Sequence, residues 1–91
     1  MAAQCTATNV TGTGTVQSGA CTYRGLSLRD TSGVANTITV YDGTSASGTV
    51  IASFQLAANA SALDNISDGL KCNAGIHLVS TGTIVGSVRI G

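Results

Sequence analysis

The sequence has no proline, no tryptophan and very few charged side chains. Only 9% of its 91 residues are charged, against roughly 25% in an ordinary globular protein, and the formal net charge is zero. Nucleic-acid-binding modules need a basic surface and aromatic side chains that stack on bases, but this chain has only one Phe and two Tyr. We therefore expect no nucleic-acid partner.

The chain also lacks an apolar run of membrane-spanning length, and its start does not have the basic and apolar regions of a secretory signal. We expect no membrane partner and, unless a leader has been removed, a complete product made in the cytoplasm. The length allows one domain. Such an uncharged surface is poorly protected against self-association, so it fits either an oligomer or a monomer kept soluble by Thr and Ser.

The three cysteines, Cys5, Cys21 and Cys72, match neither a disulfide framework nor a zinc motif. Their number is odd and no CxxC occurs. We expect all three to be reduced, small, partly buried side chains. A bond between Cys5 and Cys21 is the alternative.

The clearest pattern is a hairpin in residues 34–56. Two runs with a period of two flank a polar, glycine-containing segment at residues 42–48. In the first run Ile38 and Val40 point inward. The opposite, mostly hydroxyl face carries Thr37, Thr39 and Tyr41. The second run presents an apolar face formed by Val50, Ala52, Phe54 and Leu56. A hairpin is not stable alone in water, so the rest of the chain must provide a second layer.

A further strand is predicted at residues 20–29. Its larger apolar residues occupy odd-numbered positions in the first half and even-numbered positions in the second half. Tyr23 lies on one parity and Leu28 on the other, so a continuous strand cannot bury both. A bulge near Arg24 and Gly25 would reconcile them, because one extra residue reverses the facing of all that follow.

After the hairpin, the sequence predicts more short strands joined by turns at residues 67–69, 73–75 and 81–82. The fold class is therefore all-β, a small antiparallel β-sandwich or jelly-roll-like domain of about seven strands. Residues 1–17 are rich in Thr and Gly, and we predict that they form a flexible, extended N-terminal arm before a single domain at residues 18–91. Such an arm would pair with the sheet edge of another chain, or it is simply a frayed terminus.

Candidate catalytic residues are few. His77 is the only histidine, so a small hydrolase would need it exposed beside a nucleophile such as Ser80 or Ser87. The four carboxylates lie in or beside predicted turns, where Asp bonds to backbone: Asp30, Asp42, Asp64 and Asp68. The last two could hold calcium with loop carbonyls, but no EF-hand spacing supports this. We predict no enzyme, no cofactor and no metal site.

Four segments together resemble a group of small tailed-bacteriophage virion proteins, and the resemblance covers residues 23–91. They are TYRGLSLRDTSG, ITVYDG, SASGTVIASFQLAANAS and NAGIHLVSTGTIVGSVRIG. The resemblance implies a capsid decoration, or cement, protein or another head or tail accessory. It also implies synthesis in a bacterial cytoplasm and a final location on the virion surface.

We therefore expect a non-enzymatic protein that binds the outer surface of a phage capsid and stabilises it, as a homotrimer. Its partners would be the major capsid protein of a tailed phage and other copies of itself. The alternatives are a tail, neck or fibre-associated adaptor, and a glycan- or receptor-binding module that stacks sugars on Tyr23 or Tyr41. The expected interface residues are Ala3, Gln4, Cys5, Thr6, Ala7 and Thr8 in the arm and Thr37, Thr39 and Tyr41 on the hydroxyl face.

Overall fold

The computed structural model describes residues 6–91, apart from the side chains of Ser67 and Asp68. It contains eight strands: β1 (Thr6–Val10), β2 (Gly14–Ser18), β3 (Cys21–Asp30), β4 (Asn36–Asp42), β5 (Thr49–Leu56), β6 (Ser61–Cys72), β7 (Gly75–Ser80) and β8 (Ile84–Ile90). In this part of the chain no helix has the length and apolar character needed to cross a membrane.

The strands form two four-stranded sheets. Sheet I has the order β1-β8-β3-β6 and sheet II the order β2-β7-β4-β5. Every paired strand runs antiparallel to its neighbour. This strand order is that of an eight-stranded jelly roll. The predicted all-β, jelly-roll-like sandwich is confirmed, with eight strands instead of about seven.

Residues 6–17 of the predicted arm lie within the sandwich. β1 pairs with β8 at the edge of sheet I, and β2 pairs with β7 at the edge of sheet II. Val10 is buried and Val16 packs against the core, so the few branched aliphatic side chains of this segment hold it in place. From Thr6 onward, the structure therefore differs from an arm that stands outside the domain.

The core lies between the two sheets and is built from their inward side chains. The buried apolar residues are Val10, Tyr23, Leu26, Leu28, Ile38, Val40, Leu56, Ala62, Cys72, Ile76, Leu78, Ile84 and Val88. Both sheets contribute, and Ile38 and Val40 are fully buried as the hairpin pattern predicts.

β3 contains the predicted bulge. Between the pairs Tyr23–Ile90 and Gly25–Arg89, β3 advances by two residues and β8 by only one. The extra residue reverses the facing of the strand, so Tyr23 and Leu26 are both fully buried. The bulge prediction is confirmed.

β6 is longer and more irregular than predicted. We expected a turn at residues 67–69 followed by a separate strand, but β6 is continuous from Ser61 to Cys72. The turn-forming residues instead lie in a wide bulge, because Gly25 pairs with Asn65 while Tyr23 pairs with Leu70. Four residues of β6 thus lie opposite one residue of β3.

The facing predicted for Val50 is wrong, because β5 has a bulge of its own. Val40 pairs with Ala52, but the next residue, Tyr41, pairs with Val50. Ile51 is the extra residue and packs against the core. Val50 is turned to the outer face, where 56% of it is exposed.

Gly25→Ala is expected to lower the free energy of unfolding by about 2 kcal/mol or more. Gly25 has a φ of 128°, and an added Cβ would overlap the carbonyl oxygen of Asp64. Gly14→Ala is the matched control, since nothing lies within 4 Å of its added Cβ, and its effect should stay within about 0.5 kcal/mol. Urea unfolding compares the two variants, and equal stabilities would contradict the strained bulge.

Candidate binding surface

The predicted interface residues fall into two groups that lie in different sheets. Three of them, Ala3, Gln4 and Cys5, lie outside the described residues. The next three are on the edge strand β1 of sheet I: Thr6, Ala7 and Thr8. The last three are on β4, an inner strand of sheet II: Thr37, Thr39 and Tyr41. The structure therefore does not bring the two groups into one site.

The outward side chains of sheet II form an uncharged surface, which we call the hydroxyl face. Its first row crosses all four strands and consists of Thr15, His77, Tyr41 and Val50. The second row consists of Val79, Thr39 and Ser53. The third row consists of Thr37 and Gln55. With His77 neutral, none of these side chains carries a formal charge.

The alternation predicted for residues 37–41 is confirmed by their exposure. Ile38 and Val40 are buried, whereas Thr37 is exposed and Thr39 and Tyr41 are half-buried on the outer side. Thr37, Thr39 and Tyr41 therefore present their side chains on the outer side of sheet II.

Tyr23 is not available for stacking on a sugar. Its ring is fully buried, and its hydroxyl donates a hydrogen bond of 2.9 Å to Oδ2 of Asp64. Burial and this bond both raise the pKa of Tyr23 above its ordinary range. Of the two tyrosines considered for a glycan-binding module, only Tyr41 is at the surface.

His77 makes a defined contact on the hydroxyl face. The Thr15 hydroxyl lies 3.1 Å from Nδ1 of His77 and donates to the carbonyl oxygen of Thr44 at 3.2 Å. Which of the two groups donates in the contact between Thr15 and Nδ1 is set by the tautomer of His77. The imidazole is thus oriented by Thr15.

Neither serine proposed as a nucleophile meets His77. The hydroxyl of Ser80 donates to the carbonyl oxygen of Gly82 at 2.7 Å, and Ser87 lies on β8 in the other sheet. The arrangement that the hydrolase alternative requires is therefore not formed by these residues.

The outward side of sheet I differs from the hydroxyl face because it carries cations, among them Arg29, Arg89 and Lys71. We call it the arginine face. Arg89 pairs with Ala7 of β1, and Arg29 pairs with Val85. Exposed apolar side chains lie among them, with Val85 47% and Leu63 70% exposed.

Sequence reasoning missed the arginine face because Arg29 and Arg89 are sixty residues apart in the chain. The signal that could have found this face is the alternation of inward and outward side chains along β3 and β8. Arg29 follows the inward Leu28 and Arg89 follows the inward Val88, so both must point outward. Only the antiparallel pairing of β3 with β8 brings them to one surface.

Asp30 is a buried carboxylate that accepts five hydrogen bonds. Its Oδ1 accepts from the Ser32 hydroxyl at 2.6 Å, the Ser32 amide at 3.2 Å and the Asn36 side chain at 3.0 Å. Its Oδ2 accepts from the amides of Gly33 at 3.2 Å and Asn59 at 2.9 Å. These bonds, that of the Ser32 hydroxyl first, hold the pKa of Asp30 well below its ordinary value.

Asn36 continues this network to the loop between β7 and β8. Its Oδ1 accepts from the amide of Thr81 at 3.0 Å, from the Thr81 hydroxyl at 3.0 Å and from the amide of Gly82 at 3.1 Å. Asp30 and Asn36 are each 1% exposed. The pair fixes three loops at one end of the sandwich, which is a structural role.

Asp42 performs a similar task at the other end of β4. Its carboxylate accepts from the amides of Ala74 at 3.0 Å and Asn73 at 3.1 Å. These bonds lower the pKa of Asp42, that of Ala74 contributing most. The prediction that aspartates bond to backbone is confirmed for Asp30 and Asp42.

Among the described residues, no cluster of three or more His, Cys, Asp or Glu could hold a metal ion.

Acid is expected to destabilise the fold through Asp30. Its folded pKa lies below the ordinary value of 3.8, so the stability that its ionised form contributes is present above that value and is lost as the pH falls through the folded pKa. Asp30→Asn cannot take up this proton. The variant should be less stable near neutral pH but should lose less stability between about pH 5 and pH 2.

Urea unfolding of both proteins over this pH range measures the two slopes. Asp42 keeps its own lowered pKa, so the variant should retain part of the acid sensitivity. Identical slopes for the two proteins would show that Asp30 is not the group responsible.

Comparison with protein-family models, with curated proteins and with solved structures finds no match to this chain.

Proposed function

We propose that this chain is a structural protein of a tailed-phage virion that binds the outer surface of the capsid and stabilises the shell. The observation that carries the proposal is the uncharged hydroxyl face on a jelly roll whose strand edges are almost uncharged. Jelly rolls are common in viral capsid proteins and in lectins, so the fold is compatible with this role without specifying it.

The sheet edges favour pairing with another chain. The edge strands are β1, β2, β5 and β6, and three of them, β1, β2 and β5, contain neither a charged residue nor proline. Proteins that avoid edge-to-edge association place such residues there. We propose that β1, with Thr6, Ala7 and Thr8, forms the capsid contact by adding a strand to a sheet of the major capsid protein.

The hydroxyl face is the second proposed contact. Docking it removes no formal charge from water, so its desolvation costs less than that of the arginine face. Thr37, Thr39 and Tyr41 provide hydroxyl groups that can donate or accept as the partner requires. We propose that this face binds other copies of the chain in a homotrimer, which would match threefold positions of an icosahedral shell.

The mechanism is linkage between binding and assembly. A protein that binds only the assembled shell stabilises it by the free energy of binding. Many copies on one lattice turn a small contact into a large effect on the whole particle.

Glycan binding is the second candidate function. It is favoured by Tyr41, which is half-buried on the outer face beside His77. An aromatic ring with nearby hydrogen-bonding groups suits a sugar.

The proposal is tested by solution mass and by co-sedimentation with shells of the phage that encodes the chain. We expect a trimer that pellets with expanded shells and not with unexpanded ones. Thr39→Arg places a charge at the centre of the hydroxyl face and should weaken trimer formation about tenfold or more. Ser27→Arg is the matched control on the arginine face and should leave the trimer intact.

A monomer that pellets with neither kind of shell would overturn the decoration proposal. Binding to purified tails instead would support the adaptor alternative. Binding to a glycan array that is lost in Tyr41→Ala would support the second candidate.

A deletion of residues 1–5 tests the arm separately. A chain that begins at Thr6 keeps all eight strands, whereas removal of residues 1–17 would take β1 and β2 from both sheets. If Ala3, Gln4 and Cys5 contribute to the capsid contact, the shortened chain should pellet less than the full chain while its thermal unfolding midpoint stays unchanged. If the full and shortened chains pellet equally, residues 1–5 do not contribute to the capsid contact, which is then restricted to β1.

A further inference from the structure

Cys21 and Cys72 lie opposite one another in sheet I. They form the first pair of the β3–β6 ladder, followed by Thr22–Lys71 and Tyr23–Leu70. Both cysteines are free thiols. The sequence, in which they are fifty-one residues apart, gave no sign of this pairing.

Backbone hydrogen bonds define the spacing at this pair. The amide of Gly19 donates to the carbonyl oxygen of Ala74 at 3.0 Å, which continues the same register beyond the strand ends. The carbonyl oxygen of Thr22 accepts from the amide of Gly91 on the opposite side, so the backbone of Cys21 faces β6. Such a hydrogen-bonded pair has its Cα atoms about 5.5 Å apart, inside the range that a disulfide spans.

The side chains of the pair also meet. Directly opposed residues of an antiparallel pair point to the same side of the sheet, and Cys21 packs against the core that contains Cys72. Cys72 is fully buried, whereas Cys21 is half-buried and lines a groove with Thr8, Gln17 and Ile90. A reagent can therefore reach Cys21 from solvent, and the cysteine opposite Cys21 in the described part of the chain is Cys72.

We propose that Cys21 and Cys72 form a cross-strand disulfide when the chain meets a small-molecule disulfide such as glutathione disulfide. The thiolate of Cys21 attacks one sulfur of glutathione disulfide, the bond between the two glutathione sulfurs breaks, and one glutathione leaves as a thiolate. The thiolate of Cys72 then attacks the sulfur of Cys21 and releases the second glutathione. The protein thiols are oxidised, and two glutathione molecules are formed and take up the two protons.

The bond would hold a segment that is otherwise weakly tied. The wide bulge of β6 separates the three pairs at residues 21–23 from the rest of the β3–β6 ladder. The disulfide would link the strands at the outermost of these pairs, the one farthest from the bulge. It would also close a chain loop of about fifty residues, which constrains the unfolded state. The inference does not depend on the proposed function, because it needs only the pairing within this chain.

The test uses the Cys5→Ser variant, in which Cys21 and Cys72 are the only thiols. After incubation with glutathione disulfide under native conditions, we expect maleimide labelling in denaturant to fall from two thiols to none. The intact mass should decrease by two hydrogens, and a proteolytic fragment should link the two cysteines. The thermal midpoint should rise by roughly 10 °C and return to its original value after reduction with dithiothreitol.

The control is the double variant Cys5→Ser, Cys21→Ser, which should show neither the mass loss nor the rise in midpoint. Two free thiols in Cys5→Ser after prolonged incubation, or glutathione adducts that never resolve into an internal bond, would overturn the proposal. A bond found only between two chains would overturn it as well.

Discussion

The fold depends on the requirement that β3 bury Tyr23 and Leu26 on the same side. β3 is an inner strand of sheet I, with β8 on one side and β6 on the other. Without an extra residue at Arg24, one end of the strand would turn its apolar side chains to water. The bulge in β3 sets the pairing of both neighbours, and so it also decides which residues of β6 and β8 face outward.

This requirement explains how far the sequence could predict the fold. The alternation of apolar and polar residues was enough to predict the hairpin and the bulge near Gly25, because both follow from the pattern within a single strand. The alternation did not predict the facing of Val50. Val50 and Ile51 are both apolar, and nothing in the sequence of this run indicates which of them is the extra, unpaired residue of the bulge. The alternation also failed for residues 6–17, because their few apolar side chains gain enough burial only once both sheets exist.

The candidate site shows the same division between local and non-local information. The outward positions of Thr37, Thr39 and Tyr41 were predictable, as they depend on one strand. The arginine face and the Cys21–Cys72 pair were not, because each is created by pairing between distant segments. A sequence shows which way a side chain points along its strand, whereas only the topology shows what lies beside it.

Asp30 has a further consequence for the conditions in which the protein can work. Its five hydrogen bonds come from neutral hydroxyl, amide and side-chain amide groups and from no cation. Dissolved salt screens the attraction between two separated charges, but it has little effect on short bonds from buried dipoles. The loops that Asp30 and Asn36 hold together should therefore keep their geometry over a wide span of ionic strength.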